Sequence, residues 1–299
     1  MDKGGVVRQS NPAENKTMQI VNDRAAWLKG GDVRCSVAPL PQSHPYRFVL
    51  LGAPGVGKGT QARFLTEYFG TCHLSTGDIF RCAKDWLANG EPGPVMKAAL
   101  EYMIRGELVP DETILALIAE RSQCLHCGGG FLLDGFPRTV AQAGALEKLL
   151  ARQNVRLDAV LDYKMSARKI IARLSGRRTC LKCNAVFHIE ALPPKTDGVC
   201  DHCGGALFQR DDDGAEAIRT RLAAYNKNAG PLKRFYRRRN LLVSVEAAGT
   251  PGTTFNRALE ALRETNEDYF ARIHFPVKSV NSSEMELLKT RQNTESKCQ

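Results

Sequence analysis

Gly52-Ala53-Pro54-Gly55-Val56-Gly57-Lys58-Gly59-Thr60 follows the apolar run Phe48-Val49-Leu50-Leu51 and leads into Gln61-Ala62-Arg63-Phe64-Leu65, which reads as helix. Strand, glycine-rich turn and helix form the context of a phosphate-binding loop. Glycines let successive backbone N–H groups point at one anion, and the following helix adds its positive dipole end. Lys58 can reach the outer phosphates, and the Thr60 hydroxyl can bind a magnesium ion. Gly59 stands where Ser or Thr is usual in the loop pattern, with Thr60 one place later. An ordinary glycine-rich loop is the bland alternative; the flanking strand and helix favour a nucleotide site.

The chain has 299 residues, enough for one or two domains with a sizeable core. With 43% hydrophobic and 25% charged residues it has the composition of a soluble globular protein. No run approaches the length of a membrane span. The net charge of 42 − 32 = +10 suits anionic substrates such as nucleotides. Residues 1–45 carry six basic and four acidic residues and no continuous apolar core, so they are expected to be a disordered extension. A cytoplasmic location is expected; organelle import by this extension stays open.

Apolar runs alternate with helical patterns along the rest of the chain. Phe131-Leu132-Leu133-Asp134 reads as a buried parallel strand with a carboxylate at its tip, bounded by Gly130 and Gly135. Leu157-Asp158-Ala159-Val160-Leu161 and Leu241-Leu242-Val243-Ser244-Val245 read as further strands. Helices are expected over 112–123, up to 152, over 166–176, 215–239 and 254–263. Ser75 or Thr76 can cap a helix carrying Arg81, and Asp111 is expected to cap the helix from 112. This order predicts an α/β fold on a parallel sheet with right-handed crossovers.

Ten cysteines are unevenly spread. Cys180-Leu181-Lys182-Cys183 and Cys200-Asp201-His202-Cys203 are two knuckles separated by sixteen residues, the spacing of a four-cysteine zinc site. Four thiolates would close the tetrahedron, so this site is expected to be structural, stapling a small β-rich flap. His188 and His202 could substitute but are not needed. Cys124-Leu125-His126-Cys127 has no matching pair nearby and is read as incidental.

In order, GAPGVGKGTQ (52–61), LSTGDIFR (74–81), GELVPDE (106–112), GFLLDGFPRT (130–139), RLSGRR (173–178), the four cysteines and RDDDGAEAIRTRL (210–222) resemble adenylate kinase of the long type with a zinc-binding lid. The resemblance spans about 46 to 269. It implies a P-loop three-layer core with a parallel five-stranded sheet, a helical AMP-binding flap and a small zinc-stapled lid. The implied partition is core 46–74, 110–176 and 214–273, flap 75–109 and lid 177–213, within a unit 46–274 followed by a disordered tail 275–299. The implied reaction is transfer of the terminal phosphoryl group of Mg-ATP to AMP, giving two ADP.

Matching positions assign roles. Gly55, Val56, Gly57, Lys58, Gly59 and Thr60 would cradle the ATP phosphates. Arg173 would lie against the ATP adenine, Arg177 on its phosphates, and Val186 and Phe187 near its ring. Thr76, Arg81, Glu107, Leu108, Val109, Gly135, Phe136, Pro137, Arg138 and Gln142 would bind AMP. Arg138 and Gln142, one helical turn apart, could face one ligand, and an amide suits adenine's donor/acceptor edge. Arg210 and Arg221 would join the transfer site and touch the AMP side. Lys58, Arg138, Arg177, Arg210 and Arg221 would carry catalysis. Thr60, Asp78 and Asp134 would hold magnesium, the acids through water; a helix-cap role competes for Asp78.

The implied partners are ATP and AMP or ADP, with no nucleic acid and no membrane, and the chain is expected to be a monomer serving adenine-nucleotide balance. Glu91-Pro92-Gly93-Pro94 looks like an insertion in the flap, and the match around Gly249-Thr250-Pro251-Gly252 is loose. Two other readings compete. One is another nucleoside monophosphate kinase, using UMP or CMP, or GTP as donor. The other is a zinc-ribbon nucleic-acid binder with a nucleotide-sensing domain, supported by Lys233-Arg234-Phe235-Tyr236-Arg237-Arg238-Arg239.

Overall fold

The computed structural model describes residues 24–30, 33–35, 44–87, 96, 99–102, 105, 107–183 and 185–265. The chain begins with α1 (Ala25–Lys29), then β1 (Arg47–Gly52), α2 (Lys58–Phe69), β2 (Cys72–Ser75) and α3 (Thr76–Leu87). Next come α4 (Asp111–Glu120), a 3-10 turn (Ser122–His126), β3 (Phe131–Asp134), α5 (Val140–Arg152), β4 (Ala159–Lys164) and α6 (Ala167–Ser175). Three short strands follow, β5 (Arg177–Cys180), β6 (Val186–His188) and β7 (Leu207–Phe208). The described chain closes with α7 (Ala215–Arg237), β8 (Leu242–Glu246) and α8 (Pro251–Thr265).

Five strands form one parallel sheet in the order β2-β3-β1-β4-β8. On β1, Val49 and Leu51 face one apolar cluster with Leu74, Leu133 and Phe136, while Phe48 and Leu50 face another with Phe64, Leu132, Leu161 and Phe255. Burial on both faces explains why these strands read as continuous apolar runs. The register aligns the strand tips: Leu50 pairs with Asp134, and Ser75 pairs with Asp134 from the other side. The residues after β1, β2 and β3 therefore emerge together at the carboxyl edge, where ligands bind in open α/β sheets. β5, β6 and β7 form a separate antiparallel sheet in the order β6-β5-β7.

Two local expectations change. Asp111 is the first residue of α4 rather than its cap; the N-cap position is Pro110. Strand β2 has no counterpart in the sequence reading, because four residues give too short a pattern to separate from the loop beside it. The proposed insertion at 91–94, the tail 275–299 and residues 1–23 lie outside the described residues.

The boundary expected at residue 46 also changes. Residues 24–30 fall within the stretch read as disordered extension, yet they are fastened to the core. Trp27 is fully buried against the α3 side of the sheet, and its Nε1 donates to the Ser75 carbonyl at 3.0 Å. Arg121, itself buried, caps the last carbonyls of α1: it donates to Trp27 O at 2.7 Å and to Lys29 O at 3.2 Å. A five-residue helix is far too short to persist alone, so these contacts hold it. Trp27→Ala is expected to destabilise the fold by about 3–5 kcal/mol, the usual cost of an aromatic-to-alanine cavity. Denaturant unfolding measures it, and an unchanged midpoint would contradict the docking.

Candidate active site

At the carboxyl edge, β1 runs into the glycine-rich loop and α2 begins at Lys58. Gly55 and Gly57 have φ of +77° and +105°, backbone angles that favour glycine, and a Cβ on Gly55 would meet Leu174 at 2.6 Å. The Lys58 ammonium folds back over the loop, donating to Gly52 O at 2.8 Å and Ala53 O at 3.0 Å. Burial, with help from Arg138, Arg221 and Arg177, lowers its pKa to about 8 despite Asp134. Arg173, from α6, donates to Val56 O at 3.2 Å and so stands on the same loop.

Asp134 projects from the tip of β3. Burial would raise its pKa, but His73 and Lys58 outweigh that and hold it below the ordinary carboxylate range. Asp78 lies in the first turn of α3, where the Ser75 hydroxyl accepts from its backbone N–H at 3.2 Å and so supplies the cap. Its two carboxylate oxygens are already engaged, Oδ2 by Arg24 at 2.8 Å and Oδ1 by Arg81. Those guanidinium groups overcome burial and hold Asp78 well below the usual carboxylate range.

Beside these acids an open cleft is lined by Thr76, Glu107, Leu108, Val109, Gly135, Arg138, Gln142 and Arg221, together with Gly77, Phe80, Ile114 and Asp212. Eight of the positions expected on the monophosphate side thus line one cleft. Gly135 has φ +85°, and a Cβ there would lie 2.5 Å from Thr76 Oγ1. Phe136 is buried beneath, joined to Pro137 by a cis peptide. Gln142 is 2% exposed and held at both ends: its oxygen accepts from Arg138 N at 2.7 Å and its Nε2 donates to Asp111 Oδ1 at 2.7 Å. Thr139 donates to the other Asp111 oxygen at 2.9 Å. Asp111 is a positioning residue that sequence reasoning took for a helix cap; the GELVPDE segment was the signal.

The far wall comes from the chain around β5 and α7. Asp213, almost fully buried, accepts two hydrogen bonds from Arg177 at 2.7 and 2.6 Å and contacts Arg221 at 3.3 Å. Arg221 also reaches Asp212 Oδ2 at 2.9 Å. Arg210 donates to Thr179 Oγ1 at 2.9 Å. Burial first, then Arg81 and Arg177, pull its pKa down to about 9; Arg138 and Arg221 are lowered by burial and by other cations. Lys58, Arg81, Arg138, Arg177, Arg210 and Arg221 therefore form one field of mutually repelling cations. The acids Asp212 and Asp213 within RDDDG, which set the geometry of this wall, had no role in the sequence reading.

In the small sheet, the four sulfurs of Cys180, Cys183, Cys200 and Cys203 lie within 4.8 Å of one another, a group able to hold a metal. Four thiolates at that spacing fit structural zinc. His188 stands elsewhere, its Nδ1 accepting from the N–H groups of Glu190 and Ala191. Phe187 is 4% exposed and packs with Cys180, Ala185 and Cys200. Strand alternation puts its neighbour Val186, half-buried, on the opposite face.

A family model described as adenylate kinase matches residues 50–241. The chain belongs to the adenylate kinase family. Curated adenylate kinases agree. That of Carboxydothermus hydrogenoformans is 44% identical over 218 residues, covering 73% of this chain and all of the relative. That of Streptomyces griseus is 45% identical, covering 74% and 99%, and that of Thermodesulfovibrio yellowstonii 47% identical, covering 70% and 95%. Helix α1 precedes the matched segment. Among the described residues, no helix is long and apolar enough to cross a membrane.

The sulfur cluster gives a test independent of turnover. The purified protein is expected to carry one zinc per chain, and Cys180→Ser to lower both metal content and melting temperature. Retention of one metal per chain by that variant would remove Cys180 from the ligand set.

Proposed function

We propose that this protein catalyses reversible transfer of the terminal phosphoryl group of Mg-ATP to AMP, giving two ADP, in the cytoplasm and as a monomer, and so buffers adenine nucleotides. The observation that carries the proposal is the field of six mutually repelling cations, drawn from the phosphate loop, α3, the turn after β3, β5, the turn after β7 and α7, with Arg138 and Arg221 lining the cleft. Two polyanions are the ligands that such a field suits.

The roles divide along the cleft. Lys58 and the backbone of 55–60 hold the β- and γ-phosphates of ATP, with Arg173 beside the loop and Arg177 on the phosphates. Arg81 and Arg138 grip the AMP phosphate by charge-assisted contacts. Gln142, the backbone of 107–109, Thr76 and Gly135 shape the pocket for its adenine and ribose. Arg210 and Arg221 bridge the two phosphate sites. No general base is required, because the attacking AMP phosphate oxygen is already anionic at neutral pH. The AMP oxygen attacks the γ-phosphorus in line as the bond to the β–γ bridging oxygen breaks. Charge spreading over the equatorial oxygens meets preorganised donors rather than reorienting water.

Magnesium, when bound with ATP, would offset the charge of its phosphate groups. Thr60 and Asp134 are the better fit for it: Thr60 opens α2 beside Lys58, and Asp134 is an ionised acid at the strand tip. Asp78, with both oxygens on guanidinium groups, fits that role less well. Residues 177–213 act as a lid, stiffened by four thiolates on zinc and turning near Gly176 and Gly214, while 75–109 close over AMP. Closure of both keeps water, a competing nucleophile, from the transferring group.

Binding of nucleic acid does not belong to this reading. In the basic segment 233–239, Lys233 pairs with the buried Asp162 at 2.9 Å and Arg239 with Glu147 at 2.7 Å, while Tyr236 is buried. Those groups already serve the fold.

A coupled assay of ADP formation tests the proposal. Mg-ATP with AMP should give turnover well above that with UMP or CMP; faster reaction with either pyrimidine would overturn the AMP assignment. Lys58→Ala should lower kcat/KM by at least on the order of 10²-fold without unfolding the protein. Near-normal activity would remove Lys58 from the phosphate site. The pH profile carries a sign. In the free enzyme Lys58 loses its proton above about pH 8, so kcat/KM for ATP should fall on the alkaline side of that value. Bound phosphate favours the ammonium, so kcat at saturating ATP should hold to higher pH. Coincident alkaline limbs for both parameters would contradict this.

A further inference from the structure

We infer that Arg24 is a positioning residue for the AMP side of the site: it holds Asp78 so that Arg81 is free to move onto the AMP phosphate. The inference rests on the functional reading above and deepens it, because α1 and Arg24 precede the segment matched by the family.

Asp78 is the shared partner of two guanidinium groups, with Arg24 on one oxygen at 2.8 Å and Arg81 on the other. The side chains of Arg24 and Asp78 are 10% and 22% exposed, so water compensates little there. Arg81 lies folded back over its own helix start: a Cβ on Gly77 would sit 3.0 Å from its Nη1. In that pose Arg81 serves Asp78 rather than the cleft. Gripping a phosphate requires Arg81 to swing away, which would strip one counter-ion from a secluded carboxylate. Leaving such a group unpaired is costly. Arg24 stays behind as the second counter-ion and lowers that cost.

Its place is secured from outside the cleft. Trp27 is buried and donates to Ser75 O, within the residue pair that opens α3. Arg121 holds the carbonyls of Trp27 and Lys29. Arg24 therefore reaches Asp78 from a clamped helical turn, not from a free tail. Burial alone would push the Asp78 carboxyl up; Arg81 and Arg24 are the first two influences that bring it down.

Titration calorimetry with AMP and with ATP, on the full chain and on Arg24→Gln and Arg24→Lys, tests this, alongside KM and kcat. Arg24→Gln should weaken AMP binding on the order of tenfold and raise KM for AMP by a similar factor. ATP affinity should move less than about twofold, near the size of a purely surface effect. Arg24→Lys should recover most of the loss, since a cation is restored. Melting temperatures identify any variant that fails to fold, and the lysine variant keeps the test open in that event. Unchanged AMP affinity in Arg24→Gln, tighter AMP binding, or equal losses for both nucleotides would each overturn the inference. If the wild-type protein binds AMP yet forms no ADP, the functional reading falls while the affinity comparison still decides the role of Arg24. Absence of AMP binding by the wild-type protein overturns this inference directly.

Discussion

Like charges gathered in a half-buried space repel, and the cleft of this protein gathers six. Lys58, Arg138, Arg210 and Arg221 all have their charged forms disfavoured, first by burial and then by other cations. Much of the surrounding structure offsets that repulsion. Asp213 holds Arg177 and Arg221, Asp212 holds Arg221, Asp78 holds Arg81, and the carbonyls of Gly52 and Ala53 hold Lys58. These substitutes keep the cations aimed while leaving the field short of negative charge. Under the proposed function phosphate groups would supply what is missing, so binding and catalysis would draw on the same residues.

The parallel sheet makes the gathering possible. Aligned strand tips deliver the phosphate loop, the α3 start and Asp134 to one edge, while the apolar clusters on both faces fix their spacing. The second wall arrives on a separate small sheet and on α7; its ion pairs, Arg177 with Asp213 and Arg221 with Asp212 and Asp213, lie within that wall, while Ile218 of α7 packs with Ala53, Ile170 and Leu174.

How much of this was legible depended on the range of the interactions. The phosphate loop, the carboxylate at 134 and the paired cysteines are encoded in short stretches with fixed spacing, and each emerged where the sequence placed it. Helix α1 was not legible: five residues carry no periodicity, and only the burial of Trp27 against β2 and α3, about fifty residues away in sequence, gives it structure. Asp111 was read as a helix cap and Asp213 was given no role, because their partners Gln142 and Arg177 lie roughly thirty residues off and the contacts emerge only in the fold. The packing of Phe187 with Cys180, Ala185 and Cys200 is likewise set by the pairing of β5 and β6. What escaped the sequence reading is what long-range contacts decide.

The central claim is that the cleft is stabilised by anions it does not itself contain. Melting temperature against inorganic tripolyphosphate, a chain of phosphates without base or sugar, measures this most directly. The account predicts a rise with concentration, as for any ligand that binds the folded state alone, a smaller rise as salt is added, and none in Lys58→Ala. A wild-type melting temperature that stays constant into the millimolar range, or a rise of equal size in the variant, would contradict it.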